Sequence, residues 1–221
     1  GLPDGPHAGI VLHSVEYETL NSMGANILNA DLDVILAANQ LCDELGMDTI
    51  VCDHHQPAEE LPPAVAILDP KLSDSEYPFQ ELAGVGVAFC LLICLRTYLR
   101  EKEFWQKGLE PNLKSYCDLV ALGTIADMVP LIEENSILCK TGLTLIQAGH
   151  RPGLTALLEA SAIQNDFLDA DDIAFRLAPR LNAAGRMDHA ARAVELLTAQ
   201  DLDSAQKTAH ALNLLNRQRR Q

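Results

Sequence analysis

Apolar positions fall first in short runs and later in long helical stripes. After a loop-like, Gly- and Pro-rich opening, "GLPDGPHAG", the stretch "SVEYETLNSMG" reads as a short helix with a capping Ser and Gly24 as its stop. "ANIL" then reads as a strand and "NADLD" as the turn at its end. "VILAANQLCDELG" is a helix with Val34, Ala38, Leu41 and Leu45 on one stripe and Gly46 closing it. "DTIVC" and "AVAIL" are the next strands. Strand, helix and strand joined by turns this short imply a right-handed crossover between parallel strands. The ends of "ANIL" and "DTIVC" then share one sheet edge, which gathers Asp31, Asp33, Asp53, His54 and His55. Open α/β sheets take their ligands at that edge.

From Leu82 the pattern turns helical. "LAGVGVAFCLLICL", Leu82 to Leu95, predicts a buried helix running on to about Lys102, and it is shorter than a membrane span requires. From "NLKSYCDLV" onward the helical period continues nearly to the end, with breaks expected at Pro130, at "GHRPG" and at Pro179. The last helix carries an apolar stripe of Ala205, Ala209, Leu212 and Leu215. The fold class is α/β, a parallel-sheet core followed by a mostly helical C-terminal part.

Composition narrows the function. A chain of 221 residues with 48% hydrophobic content can bury a sizeable core. The formal net charge of −15 excludes a broadly basic coat for nucleic acid, so any anionic polymer must be met locally. The six cysteines lie scattered through apolar segments and no signal-peptide pattern opens the chain, which makes a reducing cytoplasm the expected setting. Cys90 and Cys94, one helical turn apart among Phe89, Leu91, Leu92 and Ile93, read as buried thiols rather than metal ligands.

The chemistry concentrates where "IVC" runs into "DHHQP". Imidazole nitrogens together with carboxylate oxygens suit manganese, zinc or iron, and manganese fits best with Asp in the majority. Neighbouring side chains on an extended strand point to opposite faces, so His54 is assigned to a metal and His55 to a phosphate or a supporting role. Asp127 in "LVALGTIADMVPL" follows Gly123 and Thr124 amid apolar residues, where a lone buried carboxylate is costly unless a partner or a cation meets it. Blander readings stand beside these: three polar turn residues for Asp-His-His, and a helix-terminal cap for Asp127.

"VCDHHQP", "LAGVGVAF", "LVALGTIADMVPL" and "APRLNAAGRMDHA" occur in an order and spacing that resembles the DHH phosphoesterase superfamily, above all its single-strand-specific DNA exonucleases working from the 5′ end. The resemblance implies a hydrolase of DNA repair and recombination with two manganese or magnesium ions. Asp53, His54, His55 and Asp127 become catalytic residues, and Asp53, His54 and Asp127 become metal ligands. Asp31 is the nearest match to a further ligand motif, with Asp33 as the spare. His55 would stand near the scissile phosphate. Gly84 and Gly86 would open a helix beside the site, and Arg180, Asn182 and Arg186 would meet DNA phosphates around a tight "NAAG" turn. The implied partners are single-stranded DNA and DNA-repair proteins, with no membrane and a monomeric state.

Two departures shape the expectation. No "DxDxDG" strand precedes the helix before Asp31, and no glycine-rich C-terminal domain follows "AQKTAHALNLLNRQRRQ". The expected organisation is therefore a shortened catalytic core over 1–190 and a helical segment over 191–221, cleaving single-stranded DNA feebly by itself. The rival readings are a small-substrate phosphodiesterase or pyrophosphatase of the superfamily, which shares "DHH" but generally not "RLNAAGR", and a degenerate scaffold that keeps only the fold.

Overall fold

A computed structural model describes residues 42, 44–163, 167–187 and 191–219. The "ANIL" strand, the turn bearing Asp31 and Asp33, and most of the helix after it lie outside the described residues. That helix ends as its glycine predicts: Cys42 and Glu44 are helical, and Gly46 takes a left-handed φ of +66°. The Met47 amide then closes onto the Cys42 carbonyl at 2.8 Å.

The chain divides into two compact units, 1–88 and 89–221. In the first, β1 (Ile50–Cys52) and β2 (Ala66–Leu68) pair in parallel, with Ile50 opposite Ala66, Val51 opposite Ile67 and Cys52 opposite Leu68. The β-branched run of β1 favours the strand, and both strands are shorter than "DTIVC" and "AVAIL". The Asp53 amide donates to the Leu68 carbonyl at 2.9 Å, so the pairing reaches one residue past Cys52. Among the described residues of this unit, Val51, Cys52, Phe79, Leu82, Ala83 and Val87 are buried hydrophobic side chains.

Helix α1 (Gly84–Glu101) starts and ends close to its predicted limits, but only its first turns are buried. Leu92, Ile93 and Leu95 are each about 40% exposed, Cys94 is exposed and Cys90 half-buried, against the buried helix and buried thiols expected. A helix apolar all round needs cover on every side, and a sequence without a polar face says nothing of which side receives it. Among the described residues no helix is long and apolar enough to cross a membrane.

The second unit continues from α1 into a 3₁₀ turn (Leu113–Tyr116) and six helices: α2 (Cys117–Ala126), α3 (Glu133–Gln147), α4 (Pro152–Ala160), α5 (Ala178–Met187), α6 (Ala191–Thr198) and α7 (Leu202–Arg219). A π-turn (Asp172–Leu177) leads directly into α5. Helices α2 and α3 cross closely at Gly142, where a Cβ would stand 2.1 Å from the Cys117 carbonyl oxygen. Pro152 opens α4 instead of ending a helix, in keeping with its missing N–H. Pro179 does not break the chain as expected. The wider π-turn before it accommodates a residue that can neither donate to the preceding turn nor tolerate its carbonyl.

A buried ion pair fastens this unit. Arg151, at the mouth of α4, reaches Asp118 in the first turn of α2 through Nε at 2.7 Å and Nη2 at 3.1 Å, and its Nη1 donates to the Leu197 carbonyl at 3.3 Å. The Asp118 side chain is only 4% exposed, and this fork supplies the donors that its buried oxygens require.

Removal of one partner leaves a buried charge unpaired. Arg151→Ala, which strips the buried Asp118 carboxylate of its donors, is expected to lower stability by roughly 3–5 kcal/mol in urea unfolding, whereas a loss below about 1 kcal/mol would mark the pair as a surface contact. The thiols give a second check. Burial pushes Cys139 up to about 11 and raises Cys52 and Cys117, so these stay protonated in mild alkali, while Cys94 is exposed. Maleimide labelling of the folded chain at about pH 8 should mark Cys94 first and leave Cys139 for the unfolded state; early labelling of Cys139 would contradict that burial.

Candidate functional site

β1 delivers Asp53 to its carboxyl end, and the chain leaves the strand there because the Asp53 carboxylate captures the next two residues. Its Oδ1 accepts the amides of His54 at 2.7 Å and His55 at 3.2 Å, and a hydrogen bond from the His55 ring at Nδ1, also 2.7 Å. This is a side-chain-closed turn of the kind Asp favours. It changes the expected divergence of the two histidines: their rings lie on one side, centroids 4.4 Å apart and tilted by 47°. Strand alternation ends with the strand at Cys52.

Burial disfavours the Asp53 anion, but the His55 ring, the two amides and the His55 charge outweigh it, so the carboxyl sits below its ordinary value. Gly84, the first residue of α1, abuts this group: a Cβ there would meet Cδ2 of His54 at 3.4 Å. At that distance a methyl group would touch the His54 ring in ordinary van der Waals contact. Gly86 is taken up locally, since a Cβ on it would stand 3.1 Å from Leu82 Cδ2.

Asp69 is the residue that sequence reasoning missed. It follows β2 as Asp53 follows β1, and with Cys52 opposite Leu68 the two aspartates stand at equivalent positions on neighbouring parallel strands. Their backbones stand one strand spacing, roughly 5 Å, apart, and the Asp53 charge bears on Asp69. Asp69 is 7% exposed and accepts the Lys71 amide at 2.8 Å. Burial raises its pKa most, the Lys71 amide opposes that, and the Asp53 charge adds to the rise. The signal was in the sequence, where "IVCD" and "AILD" end two strands alike.

The other predicted residues belong to the second unit. Asp127 is exposed, not buried: α2 stops at Ala126, Met128 turns the chain with φ of +62°, and the carboxylate is carried out of the apolar helix. "NAAG" is not a turn. Residues 182–185 lie inside α5, where the helix formers Ala183 and Ala184 are fully buried and the amides serve the helix. Asn182 is exposed, while the Arg180 guanidinium donates to Asn213 Oδ1 at 2.9 Å and to the Arg176 carbonyl. Arg186 falls in α5 as well, and its side chain lies outside the described part.

Two carboxylates and an imidazole are the right kind of donors for manganese. Their arrangement does not close around an ion: among the described residues no group of three or more His, Cys, Asp or Glu is arranged to hold a metal ion. Asp53, His54 and Asp69 would form one side of such a site.

A family model described as aldehyde ferredoxin oxidoreductase, domains 2 & 3, matches residues 2–53, well under half of the chain. The single-stranded-DNA-specific exonuclease RecJ of Dickeya dadantii is 51% identical over 179 residues, 80% of this chain and 31% of its own length. A crystal structure of exonuclease RecJ bound to manganese superposes with a TM-score of 0.69 at 38% identity, covering 84% of this chain and 44% of that one. The chain belongs to the RecJ family. RecJ of Bacillus subtilis, 36% identical over 221 residues, covers 99% of the chain and so includes nearly all of the stretch the other model claims. The chain spans 31% and 26% of the length of these two curated RecJ proteins.

Asp69 supplies a test. Its raised pKa means that protonation favours the folded chain, a contribution present below the unfolded value and lost as pH rises through the folded one. At neutral pH in EDTA, Asp69→Asn should therefore raise Tm, since the amide oxygen can still accept the Lys71 N–H. Added manganese should protect the unsubstituted chain more than this variant. A lower Tm for the variant in EDTA would show that the second carboxylate is no burden.

Proposed function

We propose that this chain carries part of the catalytic core of a metal-dependent exonuclease that hydrolyses single-stranded DNA from the 5′ end, in DNA repair and recombination. The observation that carries the reading is the strand-end group of Asp53, His54 and His55 beside the Gly84 helix start, in a chain that shares sequence and fold with RecJ. Asp53 and His54, with Asp31 and Asp127, are the proposed manganese or magnesium ligands. When bound, a pair of such ions supplies an activated water and steadies the leaving oxygen of a phosphodiester.

The side chains divide the remaining work. Asp53 is kept ionised and fixes the His55 ring by the Nδ1 contact, so His55 presents its other nitrogen, Nε2, in a set direction. That nitrogen is placed to meet a phosphate oxygen. Gly84 sets the start of α1 against the His54 ring, the proposed cation ligand. Asn182, exposed on α5, and Arg186 are the proposed contacts to the strand. DNA-repair proteins as partners, a monomeric state and a cytoplasmic setting complete the proposal.

The test offers the chain a 5′-phosphorylated single strand, the same sequence as duplex, pyrophosphate and a cyclic dinucleotide, each with manganese. The single strand should be shortened in preference to the rest. His54→Ala should lower that rate by at least about 10–100-fold, the range already typical of groups one step behind a metal ligand. Preference for either small substrate, or cleavage indifferent to His54→Ala, would sink the proposal.

A further inference from the structure

The π-turn before α5 is tied down by two arginines one helical turn apart. Arg176 donates through Nη1 to Asp172 at 3.0 Å and through Nη2 to the carbonyls of Ala162 at 2.9 Å and Ser161 at 3.2 Å, sealing the end of α4. Arg180 takes up the Arg176 carbonyl with Nη1 and reaches Asn213 Oδ1 on α7 with Nε at 2.9 Å. The buried face of α7 runs Ala205, Ala209, Leu212 and then changes to amides at Asn213 and Asn216. Asn213 is 6% exposed, and a buried amide is costly unless something donates to its oxygen. Arg180 is that donor.

We propose that Arg180 is a positioning residue: it fastens α5 to α7 through Asn213, and acts on a bound strand only through the placing of Asn182 and the residues after it on α5. This replaces the phosphate contact that the motif "RLNAAGR" suggests for its first arginine. The inference rests on the reading of α5 as the strand-facing element, but the fastening itself does not. A planar guanidinium engaged with a carbonyl and an amide inside the protein holds two helices at one angle; a lysine in its place keeps the charge and loses the fork.

The full chain, with Arg180→Lys, Arg180→Gln, Asn213→Ala and the double variant Arg180→Gln/Asn213→Ala, gives the test. Thermal unfolding is measured first. Arg180→Gln and Asn213→Ala should each lower Tm, and the double change should fall no further than the worse of the two, because both cut one connection. Binding of a 3′-labelled, 5′-phosphorylated phosphorothioate single strand is then followed against salt. Arg180→Lys, Arg180→Gln and Asn213→Ala should weaken affinity by the same factor and leave the salt slope unchanged. A true phosphate contact predicts otherwise: Arg180→Gln should reduce the slope by about 0.7, Arg180→Lys should largely keep binding, and Asn213→Ala should have no effect. That pattern, or additive losses of Tm, overturns the proposal. Should Arg180→Gln fail to fold, Arg180→Lys and Asn213→Ala decide between the same two patterns. A chain that binds no strand at all overturns the exonuclease reading and with it the effect on binding, while the unfolding cycle still decides the fastening.

Discussion

One oxygen atom sets the geometry of the strand-end group. Oδ1 of Asp53 accepts three hydrogen bonds from His54 and His55, and this turns a strand that would splay its histidines into a turn that brings their tilted rings together. The arrangement works against burial, since the same carboxylate is drawn out of water by the sheet edge that positions it. Three donors to one oxygen keep it ionised there. Asp69 is buried as well and accepts one amide, and although the charges of Lys71 and His54 also favour its anion, burial and the Asp53 charge move its pKa the other way. Two aspartates at equivalent positions on paired strands thus differ in character because of the donors the backbone offers each of them.

The second unit relies on the same economy of buried charge. Asp118 is satisfied by the Arg151 fork, Asp172 by Arg176, and Asn213 by Arg180, so three arginines meet three buried acceptors across sequence separations from a single turn to a good part of the unit. Each fixes an element that apolar packing alone would leave free to slide, since alanines and leucines at 205, 209 and 212 fit many registers. Directional bonds with fixed partners select one.

Much of this was legible. The positions of β1, β2 and α1, the stop at Gly46 and the gathering of Asp53, His54 and His55 follow from periodicity, strand composition and turn residues, all of them local signals. The failures depended on partners. The second half of α1 read as buried because hydropathy measures what a helix could bury, not what covers it. "NAAG" read as a turn because Asn and Gly are turn residues, while the two alanines between them decided for helix by burying in the core. Asp127 read as buried from its neighbours in sequence, although a helix end turns the next residue away from them. Asp69 was overlooked because one Asp after a strand is ordinary. Its weight comes from the register that sets it beside Asp53, and register is a property of two strands, not of one.

The charge balance gives the proposed chemistry its logic. With 31 acidic residues against 16 basic ones, the chain as a whole repels a polyanion. Arg151, Arg176 and Arg180 do little to offset this, since each is engaged with carboxylates, carbonyls or an amide inside its own unit. A phosphodiester strand approaching carboxylates such as Asp53 and Asp69 needs charge of the opposite sign at that edge. Divalent cations supply it at high density and only where their ligands are. A surface that draws its positive charge from bound ions attracts the polymer at the reacting phosphate and repels it elsewhere, whereas a basic coat would hold nucleic acid everywhere at once. Under the proposed reading the acidic composition is an advantage, because it would confine a strand to the edge that gathers the ions.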